Sequence, residues 1–326
     1  MKWNTELPVK TRRVARPRLG IVVLIVGGRD RQERRRSDNE TDWGTIVEMI
    51  PRFVLLAFAD VGCAFLVFLP VVVLNLSKIV PFERGFFCDD DSIKLPHKGD
   101  TISSGLLFAL GLCIPIAAII CGEAAAMKFH QEHHNGALVR SSRQLYLALY
   151  LHLGAFLFGA AVSQSLTEVA KFAIGRLRPH FLDVCKPLNL TERCAGSYIP
   201  EALCTGDASR VADARKSFYS GHSSFSSYTM IFLALYLQVR MPWRGTRLLR
   251  PLLQFAAILG AFYVGLSRIS DHKHHWSDVL TGFFQGTIVA MLVVFYVADF
   301  FRMSHKIEEP AHDGRRMDTV NAANSV

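Results

Sequence analysis

Apolar residues along this chain gather in long runs and do not recur with a surface period. Six such runs cover residues 53–76, 101–122, 145–167, 223–239, 251–267 and 279–298. The first carries a single charge, Asp60, and the other five carry none. A helix needs roughly 17–25 apolar residues to cross the hydrocarbon of a bilayer. The pattern therefore predicts an all-α, polytopic membrane protein with six spans. The alternative, six fully buried helices of a soluble core, asks for more buried surface than a chain of this length needs.

The polar segments divide the 326 residues into a tail at 1–52, a six-span domain at 53–301 and a second tail at 302–326. Six spans put both tails on one side. The first tail holds twelve basic residues, and the short connection 240–250 carries four Arg with no acid. Positive charge marks the cytosolic side, so both tails are expected there. Loops 77–100, 168–222 and 268–278 then face outward and loop 123–144 inward. The short apolar stretch 19–28 lies behind basic residues as in a signal peptide, but no small-residue cleavage site follows it.

Composition sharpens this picture. Half of the chain is hydrophobic and 20% is charged, which excludes a disordered or fibrous protein. The formal charge of +9 could mean nucleic acid, yet 23 Phe point to lipid. Asn189-Leu190-Thr191 is a glycosylation sequon in the long outward loop. Cys88, Cys185, Cys194 and Cys204 also fall in outward loops and can pair in three ways. Cys63, Cys113 and Cys121 lie inside spans and are expected to pack there.

The chemistry is concentrated in three clusters at the outward ends of spans three to six. In the first, Lys171 and Arg178 stand seven apart, two helical turns, with Pro179 ending the helix. Two fixed cations there suit a phosphate, or a basic collar at the lipid headgroups. In the second, Ser220-Gly221-His222 opens span four. A helix N-terminus with a close-approaching glycine can receive an anion, and a histidine can carry a proton. Read alone, the same residues make an ordinary turn and cap.

The third cluster runs from Ser267 to Asp278. His274 and Asp278 are four apart, so on a helix the carboxylate lies beside the imidazole, while Arg268 offers another phosphate-binding fork. His272, His274, His275 and Asp271 could instead form a zinc site, although the spacing matches no known zinc motif. Elsewhere, His130, His133 and His134 read as a solvated inner loop and His152 as a packing residue. Glu123 reads as an inner-interface group, and Asp60 has no role legible in the sequence.

Taken together the clusters spell Lys-x6-Arg-Pro, Ser-Gly-His and Ser-Arg-x5-His-x3-Asp, in that order. In this the chain resembles the type 2 phosphatidate phosphatase superfamily, and most of all its animal lipid phosphate phosphatase branch, which includes the insect Wunen proteins. The resemblance covers roughly residues 53–301. It extends to Arg84-Gly-Phe-Phe-Cys88 and to residues 174–185 and 217–230, with Tyr219 where the wider superfamily often has Pro.

The resemblance implies that His274 is the nucleophile, forming a phosphohistidine, with Asp278 orienting it and His222 protonating the leaving alkoxide. It implies that Lys171, Arg178, Ser220, Gly221 and Arg268 hold the phosphoryl oxygens, and that neither cofactor nor metal is needed. The expected substrates are phosphatidate, lysophosphatidate, sphingosine 1-phosphate and ceramide 1-phosphate, hydrolysed at the extracellular or luminal face. A homo-oligomer in the plasma membrane is expected. The rival readings are a non-catalytic lipid-binding or lipid-transferring protein of the same fold, and a luminal phosphatase for a soluble ester.

Overall fold

The computed structural model describes residues 43–77, 79–133, 138–188, 198–200, 202–240 and 247–298. Side chains are described throughout these except at 43–53, 129–133 and 138–143. Asn189, Cys194, residues 1–42 and the second tail lie outside the described residues, whereas residues 43–52, expected in the first tail, already belong to a helix. The chain divides into two units, residues 1–56 and 57–326. The described part of the first is the start of helix α1 (Trp43–Leu76), and the second holds the rest of α1 and every other element.

The chain is mostly helical. After α1 come α2 (Ser104–His133) and α3 (Leu138–Ile174), then the short α4 (Phe181–Cys185) and α5 (Ala208–Ala214). Helices α6 (Gly221–Arg240), α7 (Leu249–Ser270) and α8 (Trp276–Leu292) come next, and α8 runs on into a π-turn, Val293–Val297. Among the described residues five helices are long and apolar enough to cross a membrane: α1, α2, α3, α7 and α8. The sixth expected run falls on α6.

Helix α6 is apolar in its second half and rich in Ser and Thr in its first, which lowers its hydropathy. The reason lies in its position. It packs against α2, α3, α7 and α8, and eleven of its residues are buried. Neighbouring helices satisfy some of its hydroxyl groups and its own backbone others, as for Thr229 Oγ1, which donates to the Phe225 carbonyl at 3.0 Å. Ser224 Oγ lies 2.9 Å from Ser163 Oγ and donates to Gln285, and Ser227 Oγ donates to the Phe283 carbonyl at 3.1 Å.

Small residues let two of these helices come close. A Cβ on Gly282 would stand 2.7 Å from the Ser220 carbonyl oxygen, and one on Gly286 only 2.2 Å from that of Ser224. This is the small-xxx-small geometry of helices packed in lipid. The surrounding core holds Phe156, Tyr228, Phe232, Tyr236 and Val294, all essentially inaccessible. Helix α1 leans on α3 through Tyr150, whose hydroxyl donates to Asp60, and Ser165, whose hydroxyl donates to the Val67 carbonyl. Asp60 thus acquires a role: it accepts a hydrogen bond between helices. Cys63, Cys113 and Cys121 are exposed on the helix surfaces, contrary to the expectation that they pack inside.

A second, smaller core sits at one end of the bundle. It gathers Phe86, Ile93, Leu177, Phe181, Ile199 and Val211 from the connecting loops. A two-residue antiparallel pairing, β1 (Phe86–Phe87) with β2 (Tyr198–Ile199), ties loop 77–103 to the segment after α4. A disulfide between Cys185 and Cys204 closes the turn from α4 towards α5, which selects among the three possible pairings, and Cys88 is also disulfide-bonded.

At the opposite end Glu123 of α2 is buried and accepts from Arg240 Nε and Nη2 at 2.9 and 3.0 Å and from the Tyr236 hydroxyl at 3.0 Å. His152 Nδ1 lies 3.2 Å from the same carboxylate. Glu123 is therefore buried and paired, and His152, itself buried, packs beside its carboxylate.

Candidate active site

The ends of α3 and α7 and the starts of α2, α6 and α8 meet beneath the smaller core. Their local sequences explain how. Helix α3 stops at Ile174 because Gly175 takes φ +58°. A Cβ at Gly175 would fall 1.8 Å from the Phe82 carbonyl oxygen, so only glycine fits. This corrects the expectation of a helix running to Pro179. Lys171 sits in the last turn, and Arg178 lies beyond the break, in a segment without regular secondary structure. That segment is held by Arg178 N donating to Ala214 O at 2.8 Å and Ser217 N donating to Arg176 O at 2.9 Å.

The break still brings both cations to one place. Lys171 Nζ lies 3.3 Å from where a Gly221 Cβ would stand, at the first residue of α6. Lys171 and Arg178 both act electrostatically on His274 and on Asp213, and His222 feels Arg268 and His274. Lys171, Arg178, Gly221, His222, Arg268 and His274 thus share one neighbourhood. Ser220 joins it through its backbone N–H, which donates to the Asp278 carbonyl at 3.1 Å, while its hydroxyl accepts from Ser223 Oγ at 3.0 Å.

His274 is buried between α7 and α8. Its Nδ1 lies 2.8 Å from the Ser217 carbonyl. A carbonyl only accepts, so Nδ1 carries the proton and Nε2 presents its lone pair. Asp278 was expected to hold this ring directly. Its Oδ2 lies 3.9 Å from His274 Nδ1 and instead accepts from Ser217 Oγ at 2.6 Å and from His275 N at 3.1 Å. The reason is the start of α8: Asp278 is the third residue of the helix and closes a capping box with His275. Its other oxygen accepts from Arg176 at 2.5 Å. Asp278 therefore steadies the Ser217 and His275 walls around the imidazole. Burial pushes His274 down to about 4; Asp278 opposes the shift, and Arg178 and Lys171 reinforce it. The ring is neutral at pH 7.

Each phosphate-suited cation already has a carboxylate. Lys171 Nζ donates to Glu168 at 2.8 Å. Arg178 makes a two-pronged pair with Asp213 at 2.9 and 3.0 Å, leaving its buried Nε without a hydrogen-bond partner. Arg268, only 1% exposed, is held by Asp100 at 2.9 Å and Asp271 at 2.6 Å. His222 Nε2 lies 3.2 Å from the Ile102 carbonyl at the entry to α2, so it donates there. The residues considered for zinc have diverging partners: His272 Nδ1 donates to the Pro96 carbonyl at 2.9 Å, and Asp271 accepts from Thr101 at 2.7 Å.

Arg176, Ser217, Asp213, Asp100 and Glu168 were not singled out in the sequence. Arg176 had a signal, its place two residues before Arg178. The others make their contacts through tertiary pairing or, for Glu168, through an ordinary one-turn spacing.

Residues 152–302 match the PAP2 superfamily model. The chain is 49% identical over 254 residues to phospholipid phosphatase 1 of Rattus norvegicus, covering 78% of this chain and 89% of the relative. It is 49% identical over 251 residues to phospholipid phosphatase 2 of Mus musculus, covering 77% and 87%. Phospholipid phosphatase 2 of Bos taurus is 47% identical over 251 residues, covering 77% and 84%. No solved structure matches.

Proposed function

We propose, from the premise that this chain belongs to the PAP2 superfamily, that it is an integral membrane phosphatase for lipid phosphate monoesters. The observation that carries the reading is His274. Its Nδ1 proton is committed to Ser217, its Nε2 is bare, and Lys171, Arg178, His222 and Arg268 surround it. A neutral nucleophile set among fixed cations is what phosphoryl transfer demands.

His274 Nε2 attacks phosphorus, the N–P bond forms, and the P–O bond to the lipid breaks. His222 gives the departing alkoxide its proton. With Nε2–H held by Ile102, the transferred proton sits on Nδ1. Lys171, Arg178 and Arg268 stabilise the charge on the equatorial oxygens, assisted by Ser220 and by the backbone at Gly221. Water then attacks phosphorus and passes its proton to His222 Nδ1, the N–P bond breaks, and His274 and phosphate are released. Asp278 acts as a positioning residue through Ser217 and His275.

Helix α6 completes a set of six spans in this reading. The basic tails face the cytosol and the site opens to the outside or a lumen, in the plasma membrane and within a homo-oligomer. Phosphatidate, lysophosphatidate, sphingosine 1-phosphate and ceramide 1-phosphate are the substrates. Support comes from the three motifs, the apolar helices and the relatives. A phosphate-release assay on these lipids and on soluble sugar phosphates, with His274→Ala as control, tests the chemistry. Activity confined to sugar phosphates, or binding without release, would overturn it. Glycosylation at Asn189, removed by Asn189→Gln, tests the outward placement of loop 168–222.

A further inference from the structure

A polar cavity lies beside Arg176 and His275, two hydrogen-bond partners of Asp278. Its volume is about 240 Å³, and Arg84, Arg176, His275, Tyr198, Phe87 and Asp90 are among the residues lining it. Two arginines line one small space. Among the described residues no carboxylate lies within salt-bridge distance of Arg84. Arg176 is 30% exposed while its Nη1 holds Ser277 and Asp278. Asp90, the acid in the cavity wall, is already committed to Ser92 N at 3.0 Å and Ser92 Oγ at 2.6 Å. His275 gives Nδ1 to Asp278 at 3.2 Å, and its Nε2 is buried with no hydrogen-bond partner.

A buried, unpartnered imidazole nitrogen in the wall of a cavity that two arginines also line calls for a ligand that brings both a negative charge and an O–H group. A phosphate with an adjacent hydroxyl meets this need. Its charged oxygens accept from Arg84 and Arg176, and its O–H donates to His275 Nε2. Phe87 and Tyr198, whose rings lie 5.1 Å apart, add one aromatic wall to an otherwise polar lining. Such a phosphate can come from the headgroup of a neighbouring phospholipid or from free phosphate.

We propose that this cavity is a second phosphate-binding site, distinct from the one around His274 and coupled to it through Arg176 and Asp278. An anion that shares Arg176 weakens its hold on Asp278, and Asp278 in turn braces Ser217 beside His274. Binding is independent of the phosphatase reading; only the coupling rests on it.

Thermal unfolding of the full chain in neutral detergent, with short-chain phosphatidylglycerol or inorganic phosphate added, reads binding without turnover. The site around His274 contributes alike to wild type and Arg84→Ala, so the difference between them reads this cavity. The expected result is a midpoint rise larger in wild type than in Arg84→Ala, with Arg84→Lys between. Phe87→Glu places a carboxylate on an exposed rim position and should lose the same increment, which keeps the test valid if Arg84→Ala folds poorly. A rise with phosphatidylglycerol alone assigns the site to headgroups, and one with phosphate alone assigns it to the free ion. Equal shifts in wild type and variants, or none, would overturn the proposal.

The coupling is read as kcat at saturating substrate, where competition at the site around His274 no longer registers. It should change threefold or more with the bound ligand in wild type and stay constant in Arg84→Ala. Binding with an unchanged kcat would remove the coupling and keep the site.

Discussion

Gly175→Ala isolates the turn that delivers the cations. An alanine held at φ +58° costs about 1–2 kcal/mol. The new Cβ would also stand 1.8 Å from the Phe82 carbonyl oxygen. That atom is backbone, fixed by Phe82 N donating to Phe172 O at 2.9 Å, so no side chain can rotate away. The turn or the loop must shift by roughly 1 Å or more, and a misplacement of this size at a reacting centre costs about 10²-fold in rate. Arg176 and Arg178 follow directly and move with it. We expect kcat/KM for a lipid phosphate to fall about 100-fold, with a midpoint lower by about 5 °C for a loss near 2 kcal/mol.

Gly154→Ala supplies the control on the same helix, because no atom lies within 4 Å of a Cβ there. Helix propensity then gains up to about 1 kcal/mol, and activity should hold. Gly175→Asn relieves the left-handed strain but keeps the collision, so it should remain impaired. The measurements are steady-state phosphate release and a thermal ramp on all three variants. Gly175→Ala within threefold of wild type would refute the reasoning, and full recovery in Gly175→Asn would remove the steric half of it.

His274→Ala should abolish labelled phosphoenzyme, while His222→Ala should slow its formation from lipid esters more than from an aryl phosphate, whose phenolate leaves without a proton; rapid quench reads both. The depressed His274 sets the acid limb of kcat/KM: the unprotonated ring is the active form, so activity should hold down to about pH 4 and drop tenfold per unit below it, measured with a substrate of fixed charge. A limb near pH 6.5 would mean an unburied ring. Asp213→Ala leaves the Arg178 guanidinium unbalanced and should tighten inhibition by product phosphate several-fold and lower kcat, whereas Asp213→Glu should restore most of both; equal losses of activity in the two variants with unchanged phosphate inhibition would assign Asp213 a purely structural role. Glu123→Gln leaves Arg240 without its carboxylate, so we expect about 3 kcal/mol of destabilisation in a thermal or denaturant assay, with specific activity of the folded fraction unchanged.

The long apolar runs and the three motifs were legible because both are local. A run announces a helix by length alone, and a motif fixes its own spacing. Helix α6 shows where hydropathy stops working: its Ser-rich half answers to neighbouring helices, so its polarity measures protein contact and not water. The surroundings of His274 were legible only in part, for a related reason: Asp278 does stand 3.9 Å from its Nδ1 and acts on the ring. The four-residue spacing to Asp278 is real, but the capping of α8 claims that carboxylate. Ser217, which holds the ring, stands 57 residues away with no pattern to mark it. Asp100 and Arg268 are 168 apart, and Arg178 and Asp213 are 35 apart. Such partners emerge only when the loops close over the bundle.

The carboxylates beside Lys171, Arg178 and Arg268 bear on how a catalytic cycle ends. A pocket of bare cations would grip free phosphate, its own product, and stall. With each cation balanced beforehand, the resting attraction for a departing dianion is moderate. The same groups still respond when the reacting phosphorus spreads its charge over the equatorial oxygens, because they stand where that charge grows. Acceleration depends on the difference between the two grips and not on the strength of either. In the proposed mechanism Glu168, Asp213, Asp100 and Asp271 therefore act as counterweights that let phosphate go.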